Sequence, residues 1–250
     1  MKLQLIRNAT LRLNYAGHTI LIDPYLAPKH SLPSYAGRSP NPLVELPMGM
    51  DDVLQGIELV VISHLHTDHF DKLAQASLPP EIPIFCQPGN EERIRDHGFL
   101  AVTPIASSVS WQGISIQRTP GQHGSSEAVL QAMGAVSGFV LSARDEPTVY
   151  WAGDTIWYGE IRKNIDRWQP EIIITHSGGA VWGDNECIIM DAEQTAALCR
   201  YAPEAVVIAT HMEALDHCLE SRASLRGCAD RHGIDAERLR IPLDGAVIAL

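Results

Sequence analysis

Six short apolar segments of this 250-residue sequence are each followed by an aspartate or a histidine. These residues are Asp23 after TILI, His64 after VVIS, His123 after ISIQRTPGQ, Asp154 after VYWAG, His176 after IIIT and His211 after VVIAT. Asp and His also favour turns, so any one case is equally compatible with an ordinary strand end. Taken together, the six indicate a binding edge, because ligands of α/β sheets bind at the carboxyl ends of the strands. The fold must then bring all six strand ends to one cleft.

The densest group of these residue types lies in SHLHTDH, residues 63–69. In an extended stretch, His64 and His66 project to the same side and could bind one ion. Asp68 and His69 follow where the chain turns into a helix, which displaces them toward a second ion. Neutral imidazole and carboxylate suit Zn²⁺, Mn²⁺ or Fe²⁺. A solvated turn, or loop histidines satisfied by hydrogen bonds, are the alternatives for this segment alone.

The rest of the chain predicts a mixed α/β protein. The first 26 residues have the pattern of a β-meander, and residues 27–50 form a long loop rich in Pro, Ser and Gly. Strand and helix patterns alternate after that, with helices predicted in FDKLAQAS, EERIRDHG, GEIRKNIDRW, DAEQTAALCRYA and SRASLRGCADRH. We find no linker-like break. The sequence therefore predicts one layered α/β domain spanning residues 1–250.

Composition narrows the classes of partner. The net charge of −11 argues against a nucleic-acid partner, whose phosphates require a basic face. No apolar stretch approaches the ~18 residues of a membrane span, and the N-terminal residues lack the apolar core of a signal peptide. The five cysteines contain no C-x-x-C pair, which favours reduced thiols. We therefore predict a cytoplasmic protein that acts on a small molecule; a homo-oligomer is only the general expectation.

With these residues in hand, the chain resembles the metallo-β-lactamase-fold superfamily of metal-dependent hydrolases. The motifs LIDP, SHLHTDH, GQHG, AGDT and ATHM occur in the family's order along essentially the whole chain. The segment MDAEQTAAL, which precedes the last of these motifs, is similar to the branch of ascorbate-6-phosphate lactonase and N-acylphosphatidylethanolamine phospholipase D. The resemblance implies a four-layer αβ/βα sandwich with the site at the edge of its two sheets.

The resemblance also implies a site for two divalent ions, with zinc expected first and manganese or iron as alternatives. Its metal ligands would be His64, His66 and His123 for one ion, Asp68, His69 and His211 for the other, and Asp154 bridging the two. Asp23 would orient the motif loop from outside the ligand set, as metal ligands commonly require.

Three residues depart from the family's pattern. His176 is predicted to line the substrate cleft or to hydrogen-bond a ligand, the alternative being an ordinary loop histidine. Glu213 and His217 lie just past a candidate ligand and are predicted to steer substrate or to support His211; a solvated helix start is the alternative. Asp68 would carry the proton to the leaving group. We therefore predict Asp68, His176 and Glu213 as the catalytic residues.

Two ions that activate a water would let the chain hydrolyse an ester-like bond without a protein nucleophile. The bond would be a lactone, a carboxylic ester, an amide or a small phosphodiester. A phosphodiesterase or nuclease, a di-iron redox protein and a non-catalytic metal-binding protein are the alternatives. Residues 27–50 and 177–190 are predicted to select the substrate.

Overall fold

The computed structural model describes residues 1–250 and contains sixteen strands and seven helices. The strands are β1 (Lys2–Arg7), β2 (Thr10–Tyr15), β3 (His18–Ile22), β4 (Leu59–Ile62), β5 (Ile84–Cys86), β6 (Val102–Pro104), β7 (Ser108–Trp111), β8 (Ile114–Pro120), β9 (Ser137–Ser142), β10 (Val149–Trp151), β11 (Ile172–His176), β12 (Val181–Trp182), β13 (Glu186–Cys187), β14 (Val206–Thr210), β15 (Leu239–Arg240) and β16 (Val247–Ala249). The helices are α1 (Met50–Leu54), α2 (Lys72–Ser77), α3 (Glu91–Arg95), α4 (Glu127–Met133), α5 (Gly159–Trp168), α6 (Ala192–Tyr201) and α7 (Arg222–Arg231).

Fourteen of the strands form two seven-stranded sheets, and β12 and β13 form a separate hairpin. The first sheet has the order β16-β1-β2-β3-β4-β5-β6, and the second has the order β15-β14-β11-β10-β9-β8-β7. Strands β3 to β6 run parallel to one another, as do β10, β11, β14 and β15. The parallel strands of each sheet therefore present their carboxyl ends at one edge.

The period-two alternation of apolar side chains places the sheets in layers. In β4, Val61 belongs to a core cluster shared by both sheets, whereas Val60 packs with residues of α1, α2 and α3. In β11, Ile174 faces the shared core and Ile173 packs with α5, α6 and α7. The layers run helices, sheet, sheet, helices, which confirms the predicted αβ/βα sandwich. That the layers form one domain over residues 1–250 stays a prediction.

The predicted helices form, and local capping explains where two of them begin. The carboxylate of Asp191 accepts the backbone N–H of Gln194 at the start of α6, and Ser221 caps α7 in the same way through Ser224. Helix α4, which Ser126 caps, and the β12–β13 hairpin were not predicted. No helix is long and apolar enough to cross a membrane.

Candidate metal centre and cavity

The carboxyl edges of the two sheets bring the predicted side chains together. Asp23 follows β3, His64 lies just past β4, and Asp154, His176 and His211 lie at the ends of the neighbouring strands β10, β11 and β14. The carboxylate of Asp154 lies 3.6 Å from His64 Nε2 and 3.8 Å from His211 Nε2. Residues far apart in the sequence, from both sheets, therefore meet at one buried carboxylate.

Local backbone geometry supports this convergence. Asp23 and His211 have φ values of 46° and 59°, a left-handed conformation that non-glycine residues adopt mainly where the surroundings enforce it. Asn8, in the turn between β1 and β2, helps to hold His211 in this conformation. Asn8 accepts the backbone N–H of His211 at 2.9 Å and donates its side-chain amide to the carbonyl oxygen of Asp68 at 3.1 Å. The two halves of the site are thus tied through one asparagine.

The first candidate ion position lies among His64, His66, His123 and Asp154. Each offers one ligand atom, and these atoms all lie within 4.8 Å of one another. His64, His123 and Asp154 are buried, while His66 is partly exposed. This set is suited to one divalent cation, since three imidazoles and a carboxylate are ligands that zinc, manganese and iron accept.

The second candidate position lies on the other side of Asp154. His69 Nε2 lies 3.1 Å from Asp154 Oδ2 and 3.5 Å from Asp68 Oδ2, and His211 Nε2 lies 3.1 Å from the same Asp68 oxygen. His176 also offers a ring nitrogen within reach of this group. Its Nδ1, however, donates to Asp154 Oδ1 at 2.5 Å, so we interpret His176 as orienting the shared carboxylate.

Hydrogen bonds behind the imidazoles fix which nitrogen faces the cluster. Asp23 accepts from His69 Nδ1 at 2.7 Å and from the Ser63 hydroxyl at 2.7 Å, and that hydroxyl oxygen lies 2.8 Å from His64 Nδ1. The Nδ1 of His123 donates to the carbonyl oxygen of Ile188 at 2.7 Å. In all three rings Nε2 is left to face Asp154. Such support is typical of histidines that bind metal ions.

Unpaired polar atoms test whether cations fit this site. The Nε2 atoms of His64 and His69 are buried and have no hydrogen-bond partner. Orphaned buried polar atoms are rare and need an explanation, which a cation between them supplies. Burial also lowers the pKa of His64 and brings the pKa of His123 to about 4, so both rings are neutral, the form that binds metal. The residues present therefore fit divalent ions.

Metal loading is expected to release protons. Burial opposes protonation of His211, but Asp154 and Asp68 raise its pKa to about 10, and three carboxylates likewise raise the pKa of His69. At pH 7 His211 therefore carries an added ring proton that a cation must displace, and the raised pKa of His69 acts in the same direction, so apparent affinity rises with pH. Titration calorimetry in buffers of different ionisation enthalpy measures the release. Zinc binding at pH 7 with no proton released would contradict this prediction.

Glu213 is not brought to the site. Its carboxylate instead accepts the backbone N–H of Arg222 at 2.8 Å and binds the guanidinium at 2.5 Å. It does not line the cavity next to the cluster, whereas His217 does. The predicted steering of substrate by Glu213 therefore has no geometric support, and its contact with Arg222 is structural.

A cavity of about 340 Å³ opens beside the candidate ligands. Its apolar lining consists of Leu65, Ala132, Met133, Ala180, Trp182, Ile188 and Ile189. Residues 177–190 contribute four of these residues, and Tyr35 of the 27–50 loop also lines the cavity; that these two segments select the substrate stays a prediction. Ala132 and Met133 come from α4, which sequence analysis missed, although Ser126 followed by EAVLQAM carries a capping and helix signal.

Comparisons with known proteins agree with this geometry. Residues 18–212 match the sequence profile of a family described as a beta-lactamase superfamily domain. The UPF0173 protein YddR of Bacillus subtilis is 36% identical over 250 residues, which cover 98% of each chain.

Two crystal structures are similar over the full length. One is a possible metal-dependent hydrolase from Veillonella parvula DSM 2008, with 36% identity, a TM-score of 0.96 and coverage of 100% of this chain and 99% of that one. The other is an isothiocyanate hydrolase from Delia radicum gut bacteria, with 38% identity, a TM-score of 0.93 and the same coverage.

Proposed function

The chain belongs to the beta-lactamase superfamily and is a metal-dependent hydrolase. From this premise we propose that it hydrolyses a bond to an electrophilic carbon in a small, uncharged substrate with an apolar tail. The observation that carries the proposal is the position of the cavity, whose apolar lining adjoins the His and Asp cluster. The finer resemblance to the lactonase and phospholipase branch stays a prediction.

The ligand assignment that we propose follows the two groups around Asp154. His64, His66 and His123 would hold one divalent ion, Asp68, His69 and His211 would hold the other, and both ions would share Asp154. Zinc is proposed first, since its ligand preferences match this set, and manganese or iron would be accepted as well. Two such ions supply the chemistry by lowering the pKa of a bound water from 15.7 to about 7 and by polarising the substrate's electrophilic group.

The chain's own residues orient and move protons around that chemistry. His176 holds Asp154 through its hydrogen bond to Oδ1, and Asp23 holds His69. Asp68 lines the cavity and lies close to His69 and His211, which supports our proposal that its carboxylate accepts a proton and returns it to the leaving group. The apolar lining excludes water from the substrate's tail.

The lining of the cavity supports an uncharged carbon electrophile over a phosphodiester. No lysine or arginine lines the cavity, so apart from the proposed metal ions an anionic substrate would meet no cationic side chain that could bind its charge. A volume of about 340 Å³ lies within the usual range for small-molecule sites. A lactone, ester or amide therefore fits better than the phosphodiesterase or nuclease alternative.

An isothiocyanate is the second candidate substrate. The observation that favours it is the isothiocyanate hydrolase with 38% identity across the whole chain. An isothiocyanate has an uncharged electrophilic carbon and an organic tail. These two parts match the His and Asp cluster and the apolar lining of this cavity. The balanced reaction is R–N=C=S + H₂O → R–NH₂ + COS, in which water oxygen bonds to the carbon and the C–N bond breaks.

A substrate panel tests the function. Protein loaded with zinc or manganese is expected to hydrolyse phenethyl isothiocyanate or p-nitrophenyl butyrate at least about 100-fold faster than bis-p-nitrophenyl phosphate. Complete chelation should abolish that activity and added metal should restore it, because the cavity offers no alternative nucleophile system. Faster cleavage of the phosphodiester, or activity that survives complete removal of metal, would refute the proposal.

All five cysteines are free. Reduced thiols support our proposal of a cytoplasmic location, where disulfides are rare. The acidic net charge supports a small-molecule partner rather than a nucleic acid.

A further inference from the structure

Two polar side chains of the cavity remain without a role. His217 is 6% exposed, lines the cavity, and its Nδ1 has no hydrogen-bond partner. The ring of Tyr35 meets the ring of His217 edge-on with centroids 5.1 Å apart, and its hydroxyl lies 2.5 Å from Thr67 Oγ1. Neither residue belongs to the candidate ligand set. Nδ1 is itself buried, so the accessible part of the imidazole ring, next to the phenol of Tyr35, is what the cavity offers to a polar group of a ligand.

Asp216 connects these two side chains through the loop that carries Tyr35. Its carboxylate accepts hydrogen bonds from a run of groups on this loop: the backbone N–H groups of Tyr35 (2.9 Å), Ala36 (3.1 Å), Arg38 (3.2 Å) and Ser39 (3.4 Å), the Ser34 hydroxyl and the Asn41 side-chain amide (3.0 Å). Partial burial opposes ionisation, but these donors hold the pKa of Asp216 well below its usual value.

The clamp is reciprocal, since the side-chain oxygen of Asn41 accepts the backbone N–H of Asp216 at 2.9 Å. His217 is the next residue in the chain. One carboxylate therefore fixes the loop that carries Tyr35 against the segment that carries His217. This loop contains only an isolated bridge between Leu32 and Asn41, so these hydrogen bonds are a main source of its order.

We propose that Tyr35 and His217 form a polar contact pair for the heteroatom of the substrate's reacting group, and that Asp216 is a positioning residue for both. This inference rests on the proposed function, because it assigns the reacting group of the substrate to the polar contact pair and the tail of the substrate to the apolar lining. Besides the indole of Trp182 and the hydroxyl of Thr67, these are the polar lining side chains outside the candidate ligands. A hydrogen bond to the departing nitrogen, oxygen or sulfur would orient that atom.

The test uses metal-loaded protein and two independent readouts. Steady-state kinetics with phenethyl isothiocyanate and p-nitrophenyl butyrate give kcat and KM, and calorimetry gives the Kd of phenylacetohydroxamate, which needs no turnover. The variants are Tyr35→Phe, His217→Phe and Asp216→Asn. Tyr158→Phe is the matched control for Tyr35, because its hydroxyl donates to Pro120 outside the cavity. Asp235→Asn is the control for Asp216, because its carboxylate accepts only a backbone N–H of a remote turn.

Tyr35→Phe and His217→Phe are each expected to lower kcat/KM about tenfold and to weaken hydroxamate binding, with metal content unchanged. Asp216→Asn is expected to raise KM by a larger factor than it lowers kcat, because it would displace the contact pair. A merely structural defect would instead reduce the fraction of active protein and leave KM unchanged. Tyr158→Phe and Asp235→Asn should match the wild type in both readouts.

The outcomes separate this inference from the proposed function. Wild-type kcat/KM and hydroxamate Kd in both Tyr35→Phe and His217→Phe would overturn the contact pair. An Asp216→Asn protein with unchanged KM would overturn the positioning role. If the wild type cleaves neither substrate while both variants bind the hydroxamate more weakly, the contact pair is supported and the proposed function fails.

Discussion

Replacing Asp154 with alanine is expected to empty both metal positions and therefore to abolish hydrolysis, as complete chelation would. The carboxylate is 3% exposed, and its Oδ2 lies 3.1 Å from His69 Nε2, 3.4 Å from His123 Nε2 and 3.6 Å from His64 Nε2. Without it the two groups of ligands share no anion, and the charge of two neighbouring cations is less well balanced. Metal content after gel filtration and steady-state kinetics measure the two effects.

Glu213→Gln is the matched control for this change. It also removes a carboxylate, but this one lies in the segment after β14 and contacts Arg222 rather than the cluster. We expect it to keep two metal ions and wild-type kcat. Two fully occupied metal positions in Asp154→Ala would contradict the shared role of Asp154, and a large loss of kcat in Glu213→Gln would restore the catalytic role first predicted for Glu213.

Gly178→Ala is expected to disturb the metal centre without changing any polar group. A Cβ at this position would overlap the carbonyl oxygen of His211 and would approach Cys218 Sγ to 3.1 Å. The main obstacle is backbone and cannot rotate away, so either the loop after β11 or His211 must move. Overpacking of this kind costs about 1–3 kcal/mol of stability. We expect a lower Tm and a fall from two bound metal ions to one.

Gly159→Ala is the control for that substitution. It makes the same chemical change at the start of α5, where a Cβ would meet nothing within 4 Å. Its effect on stability should stay within about 0.5 kcal/mol, as for surface substitutions in general. Equal Tm and equal metal content for the two alanine variants would show that the close approach of Gly178 to His211 does not position the ligand.

The sequence predicted which polar residues follow the strands because strand ends depend on local patterns, whereas the ligand set and the four layers were implied by the family resemblance. Apolar runs such as ELVVIS identify strands, and the residue after each run lies at a strand end wherever the sheet forms. The contact of His176 with Asp154 was one of the two roles predicted for it, since both follow neighbouring parallel strands.

The cavity could not be predicted in the same way, because its residues come from segments without periodicity. Tyr35 lies in a loop whose order depends on Asp216, which is 181 residues further along the chain. Helix α4 has only seven residues, too few for a clear amphipathic pattern. The position of Glu213 close to His211 in the sequence also did not reveal that Glu213 contacts Arg222, nine positions further along the chain, and does not line the cavity.

The division of the candidate ligands between the two sheets has a consequence for the amount of protein in a cell. His64, His66 and His69 follow the first sheet, while His123, Asp154 and His211 follow strands of the second, so bound cations cross-link the two halves of the sandwich. A ligand at 100 times its Kd adds about 2.7 kcal/mol to the folded state. Starvation for zinc or manganese would thus expose the chain to proteolysis, and its steady-state abundance would report the metal supply of its host.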